Sequence, residues 1–297
     1  MRPQIVGTAL ALLLLVGCGT PAAPPTSTSL ATPTPIRVDA DDSNDSPRLV
    51  EAVRLAPDGA TILLGPGTYR LAEPLDIRKP LRLVGTGMDE TEIVSKAEEH
   101  VLRFSGAGPF AAEGITFRHA GTAVADVVVV QGGEVSLACC RFTGLFSAWG
   151  EGARVGLRLQ GETTGIVRDC VAVGNYTAGI LVEGQSRPTL EANTCTDNGA
   201  GIAYFESASG TACQNKCSRN GEGISVNQHA RPMLERNVCS DNTTFGIHYL
   251  GEAGGVICQN ECARNWVGIF LTGSADPNME DNNCHGNAYE DVLDERQ

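Results

Sequence analysis

Three side chains of this 297-residue chain fall where together they could move a proton. Ser207, His229, Glu252 and Ser274 recur at steps of 22, 23 and 22 residues, and Ser209, Arg231, Gly254 and Asp276 follow two positions behind them. If that step is one turn of a coil, His229 and Glu252 are rung neighbours with Arg231 close by. A carboxylate that orients an imidazole beside a guanidinium is an acid/base group suited to glycan chemistry. The competing reading is a plain surface pair, the commoner fate of a His and a Glu on consecutive exposed rungs. His248, outward after Ile247, lies one coil from His229 and is a candidate binding residue. Phe146 and Trp149, in the loop Gly144 to Arg154, are two more. Their rings would either stack on a sugar or fold back onto the body of the protein.

The cysteines offer a second chemistry. Cys195, Cys217, Cys239, Cys262 and Cys284 stand in phase, and Cys140 and Cys170 extend the series upward at wider spacing. A disulfide needs Cβ atoms about 3.8 Å apart, closer than undistorted rungs allow, and no zinc-type Cys-x-x-Cys pair is present. The column therefore reads as small buried apolar side chains, with no metal. Cys213 and Cys258 fall where Glu191, Glu235 and Glu280 fall, so they are expected to be exposed, two coils or about 10 Å apart.

Something must hold these residues in columns. A Gly-Ile pair recurs at Gly179, Gly201, Gly223, Gly246 and Gly268, and an Asn-x-Cys-x-x-Asn unit recurs between them from Asn193 to Asn287. Two independent markers keeping one step of about 22 residues define a solenoid. The runs are short and β-branched, punctuated by Gly, Asn and Pro, with no apolar run long enough for a helix. The fold predicted is all-β: a right-handed parallel β-helix, coils about 4.8 Å apart. Asn and Gly are expected to take the left-handed corners, and the two Asn columns to bond to backbone or to one another. Asp197, Arg219, Asp241 and Arg264 read as an exposed ladder of alternating charge.

The chain begins with Arg2, an apolar stretch from Ile5 to Val16, and Leu15-Val16-Gly17-Cys18. The stretch is too short to span a membrane comfortably, and residues 1–18 read as an export signal. Residues 19–35 are uncharged and rich in Thr, Pro, Ala and Ser, an extended linker. Residues 36–297 are expected to form one domain. Ser46-Pro47 should open a short capping helix over the first coil, with Leu49, Val50, Val53 and Leu55 on its apolar face. The acidic tail from Ala288 to Gln297 should cap the last coil. Net charge is −13, which argues against nucleic acid and against an anionic lipid surface.

Several stretches carry a resemblance. Leu15-Val16-Gly17-Cys18 resembles the bacterial lipobox, which implies a lipid on Cys18 and a place in the bacterial cell envelope outside the cytoplasm. The membrane is then touched through that lipid only. Asp58 to Tyr69, Leu75 to Gly85 and Glu90 to Ile93 resemble the opening coils of pectin-lyase-like proteins, and the Asn-x-Cys-x-x-Asn units resemble the right-handed β-helix repeat family. The resemblance implies the fold and a carbohydrate setting, since members include polysaccharide lyases, hydrolases, esterases and epimerases. It brings no active-site motif: Asp276-Pro-Asn-Met279 lacks the His and the second Asp of the Asp-Pro-His-Asp motif of mannuronan epimerases. No paired-Asp or calcium-binding Asp signature is found either.

Three functions follow as expectations. The first is a lipid-anchored, monomeric β-helix that binds carbohydrate or envelope glycan with no cofactor, calcium entering only if the glycan is acidic. The second is a divergent polysaccharide lyase, epimerase or hydrolase using His229, Arg231 and Glu252. The third, motivated by Cys213 and Cys258, is an envelope accessory protein resembling the copper-maturation β-helix proteins of nitrous-oxide reductase.

Overall fold

Short strands at a fixed step can bury their apolar sides only against the same strand one turn away, and the computed structural model shows that arrangement. It describes residues 34–40, 46–144 and 154–297; the signal, the linker through residue 33, Cys18, Phe146 and Trp149 lie outside them. The chain winds as a parallel β-solenoid of about 11 turns and about 23 residues per turn, the right-handed β-helix expected. Its three sheets hold 11, 10 and 10 strands, every pairing parallel. One coil runs through Thr189–Glu191 in the first sheet, Thr194–Thr196 in the second and Ala200–Tyr204 in the third. Its register is that of the repeat: Leu190 pairs with Ala212, Cys195 with Cys217, and Ile202 with Ile224, all facing the core.

Two asparagine ladders lock this register. Asn198 donates from Nδ2 to Ala172 O at 3.0 Å and to Asn220 Oδ1 at 3.1 Å, and its backbone N donates to the same Oδ1 at 2.9 Å. The pattern repeats from coil to coil in both ladders. Asp291 Oδ1 ends the second ladder by accepting from Asn287 Nδ2 at 2.8 Å. Each asparagine within the ladders serves partners on both neighbouring coils, so removing one rung strands several groups at once.

Single glycines such as Gly174 and Gly286 take left-handed corners as expected, but the asparagines do not. The residue before each asparagine takes that region: φ is 58° at Asp197, 56° at Arg219 and 53° at Ala192. The repeated glycines serve close approach instead, since a Cβ on Gly201 would lie 2.6 Å from Gly223 O. Cys140 and Cys170 also leave their predicted column. Ala172 pairs with Cys195, whereas Cys170 precedes Asn193 in the first ladder, its N donating to Asn193 Oδ1 at 3.0 Å. There Cys170 Sγ stands in for an amide oxygen and accepts from Cys140 N at 3.4 Å. The Cys195 column itself is core as expected. Hydrogen bonding from the neighbouring thiol and burial both push the Cys195 thiol well up, so it stays protonated.

The ends differ from expectation in detail. The helix α1 (Pro47–Leu55) buries Leu49 and Val53, but Val50 and Leu55 face out, and Ser46 makes no side-chain cap bond. The tail does not cap: Glu290–Arg296 pairs in parallel with Val267–Gly273 as one more rung of the third sheet. The charge ladder resolves into two separate pairs, Arg219–Asp197 at 3.1 Å and Arg264–Asp241 at 2.7 Å.

Candidate functional site

The repeat does bring His229 and Glu252 together, with Nε2 3.2 Å from Oε2, but their side chains are 65% and 68% exposed. Arg231 joins neither; its guanidinium lies over Gly254. Nothing on this corner between the third and first sheets excludes water from the pair.

The outward face of the third sheet is different. Register places His100, Asp126, Val155, Ala178, Ala200, Glu222 and Phe245 in one outward column, strict alternation being broken at the residue that follows each, Gly179 and Gly201 among them. Three residues on, Arg158, Leu181, Ala203, Ser225, His248 and Phe270 make the next. This wall has three zones. Toward the N-terminus it is charged: Arg103 forks onto Asp76, His100 Nε2 lies 2.9 Å from Asp76, and Arg158 bridges Asp126 at 2.6 Å and Glu183 at 2.8 Å. The middle is a small apolar cluster of Val155, Ala178, Leu181, Ala200 and Ala203.

The third zone combines a titratable pair with aromatic rings. His248 Nδ1 lies 3.1 Å from Glu222 Oε1, and the side chains are only 11% and 27% exposed. Burial pushes the Glu222 carboxyl up, but hydrogen bonds to His248 and Ser225, with the His248 charge, outweigh it and hold the carboxyl below its usual range. Asn227 Nδ2 donates to Ser225 Oγ at 3.0 Å, and the far nitrogen of His248 has only Thr272 Oγ1, at 3.5 Å. The His248 ring stacks on Phe270, centroids 5.2 Å apart, with Phe245 at 4.6 Å. Next to Phe245, Trp266 stacks on Tyr289 at 5.2 Å, both rings about half exposed. A groove of about 450 Å³ runs past the pair, walled by Ala203, Phe205, Glu222, Asn227 and His248.

Of the site residues expected from sequence, His248 therefore sits at the best-formed site and His229, Arg231 and Glu252 do not share one. Glu222 was missed. Its signal was a carboxylate interrupting the apolar part of the column, between Val155, Ala178 and Ala200 on one side and Phe245 on the other. Cys213 and Cys258 flank Glu235 in register on the first sheet, half-buried, and burial with Glu191 and Glu235 pushes the Cys213 thiol up. Among the described residues no group of three or more His, Cys, Asp or Glu stands close enough to hold a metal ion.

Comparison with known proteins adds a family and a fold. A family model described as a right handed beta helix region matches residues 126–259 and 223–293. The A-module of the mannuronan C-5 epimerase AlgE4 of Azotobacter vinelandii superposes with a TM-score of 0.61 at 20% identity, covering 82% of this chain and 75% of its own. ORF18 of Geobacillus virus E2 gives 0.60 at 12%, covering 88% and 60%. Pectate lyase Pel9A gives 0.59 at 12%, covering 86% and 80%. At such identities the likeness is one of fold. No curated protein matches the sequence.

Proposed function

The chain belongs to the right-handed β-helix family, and on that footing we propose that it is a carbohydrate-binding solenoid whose glycan lies along the outer wall of the third sheet. The observation that carries this reading is the half-buried Glu222–His248 pair set among Phe245, Phe270, Trp266 and Tyr289 beside a groove. Sugar rings present apolar C–H faces ringed by hydroxyls. Exposed aromatic faces take the first, and fixed carboxylate, amide and imidazole groups take the second. Two structural neighbours, the mannuronan epimerase and the pectate lyase, act on polysaccharide on this fold, which supports the ligand class. The lipobox-like Leu15 to Cys18 supports a lipid anchor on Cys18 in the bacterial envelope, outside the cytoplasm. The protein works as a monomer without a cofactor, calcium being required only for an acidic glycan.

A second reading rests on the far nitrogen of His248. An imidazole oriented by a carboxylate, its other nitrogen bordering a groove, is placed to exchange a proton with a bound sugar. Under that reading the pair Glu222–His248 replaces His229, Arg231 and Glu252 in a lyase, epimerase or hydrolase. The test is affinity electrophoresis of the full chain through neutral and acidic polysaccharides, with and without calcium, alongside assays for reducing ends and unsaturated uronates. Retardation that Trp266→Ala abolishes is expected, and none with any polysaccharide would sink the proposal. Product that His248→Ala abolishes would establish the second reading.

A further inference from the structure

The molecule carries 13 more negative than positive charges, yet one hollow is lined by cations and by no carboxylate. It lies where the early coils turn from the second sheet into the third, at the ends of Gly67–Leu71, Thr91–Ser95 and Thr116–His119. Its volume is about 570 Å³, and Arg70, Lys96 and Arg118 surround a floor of Leu71, Val94 and Ala120. The register explains the grouping: Arg70, Val94 and Arg118 are successive outward residues of one column, with Lys96 two places beyond Val94. Val94 is buried between the two arginines.

The three cations are not alike. Arg118 is fixed by Glu92, which accepts from Nε at 2.6 Å and from NH2 at 3.0 Å. Arg70 and Lys96 have no carboxylate within ion-pair distance among the described residues. Glu92 reaches Arg70 only through a longer-range attraction, so two cations without an ion-pair partner over one apolar floor are open to a counter-charge. The floor lowers the local dielectric and so strengthens any anion contact made there.

We propose that this hollow is a subsite for a single oxyanion group on a saccharide, bound by Arg70 and Lys96 with Arg118 as a fixed third wall. Arg70 offers a planar fork and Lys96 a mobile point charge, a combination that takes carboxylate, sulfate ester or phosphate ester. That the group is carried by a sugar rests on the glycan reading above; the oxyanion chemistry does not. The hollow opens beside the charged zone of the wall, at the opposite end from Trp266 and Tyr289, so a long glycan would meet both.

The test uses the full chain and four probes: glucose, glucuronate, glucose 6-sulfate and glucose 6-phosphate, titrated by calorimetry at low ionic strength. At least one charged sugar is expected to bind at least tenfold more tightly than glucose, and the preference to fade at high salt. Arg70→Gln and Lys96→Gln should each reduce that preference several-fold, and together remove it, with unchanged thermal unfolding. Arg118 is left in place so that Glu92 is not stranded. Which charged probe wins identifies the substituent. Equal binding of all four probes, or a preference that survives the double substitution, overturns the proposal. Trp266→Ala should leave the charged-sugar preference intact, so loss of glycan retention at the aromatic zone and loss of this subsite read out separately.

Discussion

Two histidine–glutamate pairs lie on neighbouring coils of this solenoid, and they behave as opposites. His229 and Glu252 share one phase of the repeat, meet at 3.2 Å on a corner, and stand about two-thirds exposed. His248 and Glu222 meet at almost the same distance, 3.1 Å, but on the wall of the third sheet, packed by Phe245 and Phe270 and mostly buried. Distance does not separate them; surroundings do. In water an ion pair of this kind is worth a fraction of a kcal/mol, whereas a half-buried pair can hold orientation and charge. The comparison teaches that column alignment finds neighbours without telling which neighbours water can reach.

The comparison can be broken at its foundation first. Asn220 precedes Glu222 by two residues and carries the ladder behind the wall, so Asn220→Ala strands the amide of Asn198 and the carbonyl of Cys195. We expect a loss of at least about 3 kcal/mol in denaturant unfolding followed by circular dichroism, from about 1–3 kcal/mol per stranded buried group. A loss below about 1 kcal/mol would mean the wall does not depend on the ladder. Next, His248→Ala should weaken glycan retention about tenfold, about 1.4 kcal/mol, while His229→Ala leaves it unchanged. Equal effects would erase the distinction between the pairs.

A pH series sharpens it. The Glu222 carboxyl is held below its usual range in the fold, so its charged form stabilises the native state. That contribution is present above the unfolded carboxyl's value, about 4.3, and is lost as pH falls through the lower folded value. The difference in unfolding free energy between the wild type and Glu222→Gln should therefore shrink as pH drops below about 4.3. A difference independent of pH from neutral to strongly acid would show that Glu222 is not held as a carboxylate. The smallest effect belongs to the corner: Glu252→Gln should shift stability by less than about 0.5 kcal/mol, as exposed substitutions do.

Much of the fold was legible because a solenoid repeats its own contacts. Each Asn-x-Cys-x-x-Asn unit meets a copy of itself, so the step of 22 or 23 residues gave the coil, the buried Cys195 column and the paired asparagines. Where the period breaks, phase cannot be counted. Cys140 and Cys170 were aligned with the wrong column because residue type was followed rather than step: the coil from Ala172 to Cys195 keeps the regular length, and only the one before it, from Phe142 to Ala172, is longer.

The candidate site was less legible for a related reason. His248 pairs in register with Ser225, and the carboxylate it bonds, Glu222, lies three residues before that. Such a diagonal contact has no signature at a fixed step. Trp266 and Tyr289 do stand one step apart, but the meeting of Phe245 with Trp266 and Phe270 is again diagonal.

By itself, then, the sequence determined the coil, its direction of stacking and which residues share a column, because identical units pair with identical units. Tertiary structure alone decided which outward residues lie on a sheltered wall and which on an open corner. Shelter depends on how side chains from successive coils lean across one another, and that leaning is set by strand twist, local bulges and ring packing rather than by period.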